Sequence, residues 1–210
     1  MTDGRSIKYL ENNLAIIVDK EQKKRDIALA CKELILTNGI NNLTVSQVAK
    51  TAGVGKGTIY EYFTNKDEIV FELVNTLMQQ HSEKLQKNIE AKESTKEKIR
   101  EFSSFFYSQE EADLRKLYKE FISLSLMVPK SEMIEFHAQC NKRYFSWFEK
   151  ILADGISKGE LKQEALLLAK GLFVIADGMF IKNSVTGKED DIQKDLDFFI
   201  DTIFTLMEKK

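Results

Sequence analysis

The residues with the clearest chemical potential lie in one short segment, residues 44–66, with the sequence TVSQVAKTAGVGKGTIYEYFTNK. Lysine, threonine and tyrosine recur there, so ammonium, hydroxyl and aromatic groups lie close together. Such groups hydrogen-bond to phosphate oxygens and to the edges of DNA bases. We therefore predict that this segment binds double-stranded DNA, with Lys56, Thr58 and Tyr60 nearest the bases. The predicted contacts are Thr44, Lys56, Gly57, Thr58, Tyr60, Tyr62 and Lys66.

Two short helices joined by a tight turn are needed to hold these groups in place. Thr44 is placed to cap the first helix with its hydroxyl, and Gly53 falls where the chain must turn sharply. The second helix then presents a polar side to solvent, which suits entry into the DNA major groove. Apolar residues recur at helical spacing on the inner sides: Val45, Val48, Ala49 and Ala52 in the first helix, and Val54, Ile59 and Phe63 after the turn.

The segment resembles the helix-turn-helix of TetR/AcrR-like transcriptional regulators. It departs from the family pattern at Gly55, where a serine is common, so one capping hydroxyl is absent. The matching residues are Thr44-Val45, Val48-Ala49, Ala52-Gly53-Val54, Lys56-Gly57-Thr58-Ile59-Tyr60, Tyr62-Phe63 and Lys66.

The resemblance implies an all-α fold. A three-helix, N-terminal helix-turn-helix domain would bind DNA, and a C-terminal helical domain would bind a ligand and dimerise. The implied function is that of a homodimeric regulator, a repressor that a small-molecule effector releases from a near-palindromic operator. One alternative stays open: a DNA-binding interaction protein of the same fold without an effector pocket.

The composition agrees with that fold class. Among 210 residues there are ten glycines and a single proline, Pro129, so few turn-making or strand-breaking residues are present. The richest apolar stretch, residues 166–181, is interrupted by Lys170 and Asp177 and is too short to span a membrane. The N-terminus lacks the layout of a signal peptide, so we predict a cytoplasmic protein with no membrane partner.

The charge distribution is compatible with DNA binding, and the reactive side chains give little support for an enzyme. The net charge is −2, yet residues 20–68 carry eight Lys or Arg against six Asp or Glu, a mild positive excess in which the positions of individual cations matter more than the sum. The two histidines and two cysteines fall in no metal-ligand or catalytic-triad spacing, and no glycine-rich phosphate loop is present. We therefore expect no catalytic residues, no metal site and no cofactor, and an enzyme is the least supported interpretation.

Three regions are predicted along the chain. Residues 1–19 form an N-terminal extension, residues 20–66 the DNA-binding domain, and residues 67–210 the effector-binding and dimerisation domain. The extension carries an apolar stripe, and either a loosely packed arm or an arm that packs on the DNA-binding domain or on a partner subunit fits it. Helices are expected near residues 23–38, 65–91, 94–108, 110–127, 131–158, 163–183 and 189–208, with Thr64 or Asn65 capping the second of these.

Aromatic residues are abundant in the C-terminal region, and most such residues are core. The resemblance implies that some surround a cavity for a small apolar or aromatic effector. One predicted helix carries four polarisable groups at i, i+3, i+7 and i+10, and Asp177 stands in an apolar run where a carboxylate needs an effector or a neighbouring subunit as its partner. The candidate pocket residues are Phe106, Phe121, His137, Cys140, Tyr144, Trp147 and Asp177.

The last two predicted helices are typical of an association surface. Residues 166–181 are apolar almost all round, as expected of a helix covered by its own core and by another chain. Two such helices from each of two subunits can form a four-helix bundle, and the two-fold axis would place two reading helices on a near-palindromic site. The predicted interface residues are Leu167, Gly171, Val174, Gly178, Leu196, Phe199 and Ile203.

Overall fold

The computed structural model describes residues 20–209 of the chain. Within this range the secondary structure is helical, and the only β-type pairing is one isolated antiparallel bridge between Leu161 and Glu208. The predicted all-α fold is confirmed. The expected N-terminal extension, residues 1–19, lies outside the described residues.

The predicted helices are present with small changes at their ends. The predicted helix over 23–38 is interrupted at Cys31, whose N–H bonds to the carbonyl of Ala28 in a tighter turn (3.1 Å). The predicted helix over 94–108 ends at Ser103 and continues as a short 3-10 turn. The helices are α1 (residues 20–30), α2 (Lys32–Asn38), α3 (Val45–Thr51), α4 (Lys56–Tyr62), α5 (Lys66–Glu90), α6 (Thr95–Ser103), α7 (Ala112–Met127), α8 (Ser131–Ser157), α9 (Glu164–Thr186) and α10 (Ile192–Met207), with 3-10 turns at Ser104–Phe106, Gln109–Glu111 and Glu189–Asp191.

The chain packs as two compact units. The first holds the described residues up to Gln79 together with Lys116–Phe121, and the second holds Gln80–Arg115 and the residues from Ile122 onward. The division therefore falls inside α5, not after residue 66 as expected from the sequence. The physical reason is that Ile69 and Leu73, in the first half of α5, are fully buried in the first unit and complete its core.

The first unit needs more than its own four short helices to form a core. Ile35, Val48 and Ile59 are buried on α2, α3 and α4. The middle of α7 adds Phe121, whose ring lies 6.3 Å from the ring of Phe71. Since helices this short are unstable in isolation, their stability comes from this shared burial.

The middle of α7 also satisfies backbone groups at the end of α2. The ammonium of Lys116 donates to the carbonyl of Leu36 (2.7 Å), and a carboxylate oxygen of Glu120 accepts from the N–H of Ile40 (2.9 Å). Both backbone groups lie where a helix has just ended and lacks internal partners. The α7 side chains therefore fix the loop that leads into α3.

The second unit is built around α6, α8, α9 and α10. The start of α6 is held by a capping box between Ser94 and Glu97, and Glu160 accepts from the N–H of Thr95 (2.7 Å). The main apolar cluster contains Ile99, Phe148, Ile151, Leu152, Leu161, Ala165, Ala169, Ile200 and Phe204.

In residues 20–209 no helix has the combination of length and hydropathy that crossing a bilayer requires.

Candidate DNA-binding surface and ligand cavity

Helix α3 is fixed at its start by Thr44. The Thr44 hydroxyl accepts from the N–H of Gln47 (3.3 Å) and donates to the Gln47 side-chain oxygen (2.7 Å), while the Thr44 N–H donates to that same oxygen (3.0 Å). The predicted capping role is confirmed, and Gln47 completes a capping box. The hydroxyl proton and the backbone N–H are both used within the protein, so Thr44 can meet a ligand only through the remaining lone pair of its hydroxyl oxygen.

A tight turn joins α3 to α4 at Gly53. Its φ of +68° lies in the left-handed region that glycine adopts without steric cost, as the sequence predicted. The N–H of Val54 bonds back to the carbonyl of Ala49 (3.0 Å), which closes the turn. The turn thereby sets the angle at which α4 leaves α3.

Helix α4 separates its apolar and polar residues cleanly. Ile59 is 1% exposed and faces the first unit's core, whereas Tyr60 is 61% exposed. Lys56 and Gly57 are exposed as well, and Thr58 and Tyr62 are half-buried. The N-cap residue of α4 is Gly55, which has no side chain, so α4 starts without a side-chain cap. The surface of α4 therefore offers an ammonium, a phenol and uncovered backbone to a ligand.

The start of α5 lies beside this surface. The side-chain oxygen of Asn65 accepts from the N–H groups of Asp67 (2.9 Å) and Glu68 (3.1 Å), so Asn65 caps the helix. The ammonium of Lys66 donates to the carbonyl of Asn41 (2.7 Å) and holds the loop ahead of α3. It keeps two further N–H donors, so contact with a phosphate would add to this bond.

The residues predicted for an effector pocket are divided between the two units. Phe121 is 1% exposed and belongs to the first unit, where it packs on Phe71. Its assignment to the pocket is corrected, because its whole ring is used in that core. The other six predicted pocket residues belong to the second unit.

The three aromatic members of those six are half-buried. The Phe106 ring lies 5.4 Å from the Phe180 ring. The Tyr144 hydroxyl is 2.9 Å from the Ser82 hydroxyl, and burial raises the pKa of Tyr144 to about 12. Trp147 packs edge-on against Tyr144, with the ring centroids 5.4 Å apart.

The three polar members of the set differ in their partners. Nε2 of His137 lies 3.0 Å from the hydroxyl of Ser125, and burial lowers the pKa of His137. Burial raises the pKa of the Cys140 thiol. Asp177 has no hydrogen-bond or ion-pair partner among the described residues, and burial raises its pKa to about 6. That this carboxylate contacts an effector or a neighbouring subunit stays a prediction.

A cavity of about 530 Å³ lies in the second unit, and none of the predicted pocket residues is among those that line it. The end of α5, the end of α6 and the 3-10 turns after it form its wall, and Gln193 of α10 completes it. Leu85 and the Tyr107 ring are the apolar parts of its lining and the other lining residues are polar or charged, whereas the sequence suggested an apolar or aromatic effector. The titratable lining residues are His81, Lys84, Glu101, Tyr107, Glu110 and Glu111.

His81 is the lining residue that sequence reasoning missed although a signal was present. It follows Val70, Val74 and Leu77 at i, i+4, i+7 and i+11, which places an imidazole on the buried face of α5. The acidic part of the lining carries no such signal, because Glu110 and Glu111 lie in an ordinary charged turn.

Helix α9 exposes a stripe of apolar and small residues. Leu167 is 84% and Val174 54% exposed, and Gly171 and Gly178 are exposed between and after them. Ile181 and Val185 continue the stripe at the same helical spacing and were not predicted. Exposed apolar groups in one contiguous row are typical of an association surface, so the interface role of this stripe stays a prediction.

Helix α10 contributes less than predicted. Leu196 is 2% exposed, because Ile192, Leu196, Ile200 and Phe204 form the inner face of α10, so its assignment to the interface is corrected. Phe199 and Ile203 are half-buried. The outer face of α10 instead carries Phe198 and Leu206, both of which are exposed.

No group of three or more His, Cys, Asp or Glu side chains is placed to hold a metal ion within the part of the chain that the structure describes.

Comparison with known proteins agrees with this architecture. The family model for bacterial regulatory proteins of the tetR family matches residues 27–73. The fatty acid metabolism regulator protein of Bacillus subtilis is 33% identical over 149 residues, which cover 69% of this chain and 73% of that protein.

Two solved structures share the fold along nearly the whole chain. A putative transcriptional regulator from Saccharomonospora viridis in complex with choline has a TM-score of 0.74 and 18% identity, and the match covers 90% of this chain and 99% of that one. The fatty acid degradation regulator from Bacillus halodurans has a TM-score of 0.63 and 25% identity over 88% and 93% of the two chains.

Proposed function

Because this chain belongs to the TetR family of helix-turn-helix transcriptional regulators, we propose that it is a cytoplasmic homodimeric repressor released from a near-palindromic operator by a small-molecule effector. The observation that carries the proposal is the exposed polar face of α4, built on a buried Ile59 and a Gly53 turn.

The reading surface is suited to the DNA major groove. Tyr60 and Lys56 are exposed on a helix whose first turn has no side-chain cap, so its first backbone N–H groups lack a capping partner. Positive charge and free N–H groups attract phosphates, and phenol and ammonium groups hydrogen-bond to base edges. Gly57 lacks a side chain on the exposed face, so the backbone can approach DNA closely there.

Dimerisation supplies the symmetry that an operator of two half-sites requires. The α9 stripe offers Leu167, Val174 and Val185 for burial, with Gly171 and Gly178 permitting close helix approach. A two-fold axis through such a face pairs the same residues from both subunits. Two copies of α4 would then address two half-sites in successive turns of the major groove.

Binding of the effector would change the DNA-binding surface through α7, a helix that contributes residues to both units. Helix α7 starts in the second unit beside the cavity-lining Glu111, and its middle turn carries the Lys116 and Glu120 contacts to the loop before α3. A ligand that binds better to one arrangement of α7 shifts the population toward that arrangement. The operator would be released when that arrangement misplaces α4.

The relatives suggest two effector chemistries. Two are named for fatty acid metabolism or degradation, and one solved neighbour holds choline. The cavity in the second unit supports an effector-controlled regulator over the alternative of an interaction protein without a pocket, which a closed core would have favoured.

The proposal is tested by selecting genomic DNA fragments that the full chain binds and measuring operator affinity by fluorescence anisotropy. Lys56→Met should weaken binding and reduce the dependence on salt by about one counterion, because one cationic contact is lost. Lys150→Met, which removes an exposed lysine from α8, is the matched control and should bind as the wild type does. Equal operator binding by both variants, or no selected fragment at all, would contradict the proposal.

A further inference from the structure

We propose that the cavity of the second unit binds a small molecule that carries a protonated primary or secondary amine. This inference deepens the effector role proposed above. Only the claim that the amine releases DNA rests on that role, because amine binding can be measured whether or not the chain binds DNA.

The charge of the lining favours a cation. Glu101, Glu110 and Glu111 face the cavity, and Lys84 is the one cationic side chain among the lining residues. The ammonium of Lys84 lies 2.5 Å from Glu110 and 3.4 Å from Glu111, so its charge is already matched. A second ammonium would offset the remaining negative charge, and a carboxylate ligand would be repelled by it.

Bases outside the lining leave this preference in place. Lys92 lies 3.4 Å from Glu101 and is half-exposed, so solvent screens that pair. The Arg115 guanidinium donates to the backbone carbonyls of Phe105 and Ser108, and those bonds hold the turn that carries Glu110 and Glu111. Arg115 also interacts electrostatically with Glu111, but it does not line the cavity, so it positions the acidic wall without filling the space beside it.

Glu111 is the buried end of the acidic wall. Its side chain is 14% exposed, and the Lys84 ammonium lies 3.4 Å away, which is longer than a strong charge-assisted hydrogen bond. A buried carboxylate in this condition accepts a well-placed N–H donor favourably. A ligand ammonium can supply that donor at a shorter distance.

His81 adds an unused acceptor on the same wall. It is 6% exposed, its Nδ1 lies 3.3 Å from a carboxylate oxygen of Glu111, and its Nε2 has no hydrogen-bond partner within the described residues. Burial lowers the pKa of His81 more than Glu111 raises it, so the ring is neutral near pH 7. A neutral imidazole has one acceptor nitrogen, which an amine N–H can fill.

The acidic wall and the free acceptor of His81 predict an order of affinity for an amine, a quaternary ammonium and a fatty acid. An amine supplies both the positive charge and the N–H donors. A quaternary ammonium such as choline supplies the charge but no N–H, and a fatty acid supplies neither. The expected order of affinity is therefore 1,4-diaminobutane, then choline, then octanoate.

The test is calorimetric titration of the full chain with these three compounds at pH 7.5. We expect 1,4-diaminobutane to bind about tenfold or more tightly than choline, and octanoate to give no binding at this site. Glu111→Gln should weaken diamine binding about tenfold, because the charge is removed while the shape is kept. Glu149→Gln, an exposed glutamate on α8, is the matched control and should bind as the wild type does.

A second variant guards against loss of folding. His81→Phe keeps an aromatic ring against Phe105, 5.1 Å from His81 in the wild type, but removes the acceptor. It should also weaken diamine binding while its circular dichroism melt stays cooperative. Absence of diamine binding, octanoate binding more tightly than the diamine, or diamine affinity unchanged in both variants would overturn the proposal.

Operator affinity measured with and without the diamine separates the two proposals. Diamine binding that leaves operator affinity unchanged supports the amine site and contradicts its effector role. Operator affinity that falls in the presence of the diamine supports both. A chain that binds the diamine but no DNA at all contradicts the regulatory function alone.

Discussion

At the scale of single residues, Asp177 has the clearest consequence for stability. Its carboxylate stands half-buried on α9 with no partner among the described residues. Burial disfavours the charged form, which raises the pKa of Asp177 from 3.8 to about 6. The folded protein therefore binds this proton more tightly than the unfolded chain does.

We expect Asp177→Asn to stabilise the protein at pH 7. With the pKa raised in the folded state, the stability that Asp177 contributes is complete below about pH 3.8 and is lost as the pH rises to about 6. Removing the charge should add on the order of 1–2 kcal/mol to the free energy of unfolding at pH 7 and nearly nothing at pH 4. Thermal melts of both proteins at the two pH values measure this.

The control for that experiment is Asp154→Asn, which changes an exposed aspartate on α8 and should leave the melting temperature unchanged at both pH values. A lower melting temperature for Asp177→Asn at pH 7 would show that the carboxylate has a stabilising partner, such as a group of a second subunit.

Residue roles were predictable only where the signal was local. Thr44, Gly53 and Asn65 act through neighbours a few positions away, so their capping and turning roles follow from the sequence. His81 meets Glu111 and Phe105 from distant segments, and only the folded chain brings them together.

At the scale of elements, the two glycines of the helix-turn-helix make different demands. Gly53 has a φ of +68°, a conformation that is strained for any residue with a Cβ. Gly57 lies inside α4 with helical geometry, and a Cβ there would meet nothing within 4 Å. The same substitution should therefore have opposite effects on stability at the two positions.

We expect Gly53→Ala to lower the free energy of unfolding by about 1–2 kcal/mol, since alanine resists the left-handed region. Gly57→Ala should raise it by about 0.5–1 kcal/mol, because alanine loses less backbone freedom in a helix. Urea unfolding measures both changes. If α4 approaches DNA closely, Gly57→Ala must also weaken operator binding, and a more stable variant with unchanged operator affinity would remove Gly57 from the contacts.

Helix positions followed from periodicity and capping residues, whereas the orientation of α10 did not. The apolar residues of α10 cover more than one face, so their spacing does not tell which face is turned inward. The structure resolves this: the row through Leu196 packs in the core and the row through Phe198 is exposed. A broad apolar stripe is therefore weak grounds for assigning an interface.

At the scale of the whole molecule, the α9 stripe determines the expected assembly. Val174→Glu places a charge in the middle of the stripe, where a dimer would bury it without a partner. We expect this variant to sediment as a monomer and to bind the operator at least tenfold more weakly, because the two half-sites are no longer engaged together. Analytical ultracentrifugation and anisotropy measure the two effects.

Val128→Glu is the matched control, because Val128 is 53% exposed, close to the 54% of Val174. Val128 is the C-cap residue of α7 and is not part of the α9 stripe. It should leave both properties unchanged. A Val174→Glu chain that stays dimeric would place the association surface elsewhere.

The division into two units was the least predictable feature at this scale. The sequence shows a DNA-reading motif followed by a long helix, but nothing in it indicates that six residues of α7, Lys116–Phe121, pack with that motif. Such a return depends on burial of Leu117 and Phe121 far along the chain from their partners.

Because the first unit is built from two separate stretches of the chain, it limits how DNA-binding units can be exchanged between relatives. A chimera that grafts only the residues up to Gln79 onto a foreign C-terminal half would leave behind Lys116, Glu120 and the Phe121 ring. The carbonyl of Leu36 and the N–H of Ile40 would then depend on whatever the recipient's helix happened to offer. Recombination that preserves specificity must therefore transplant two separate stretches of chain together, and a single crossover point will not suffice.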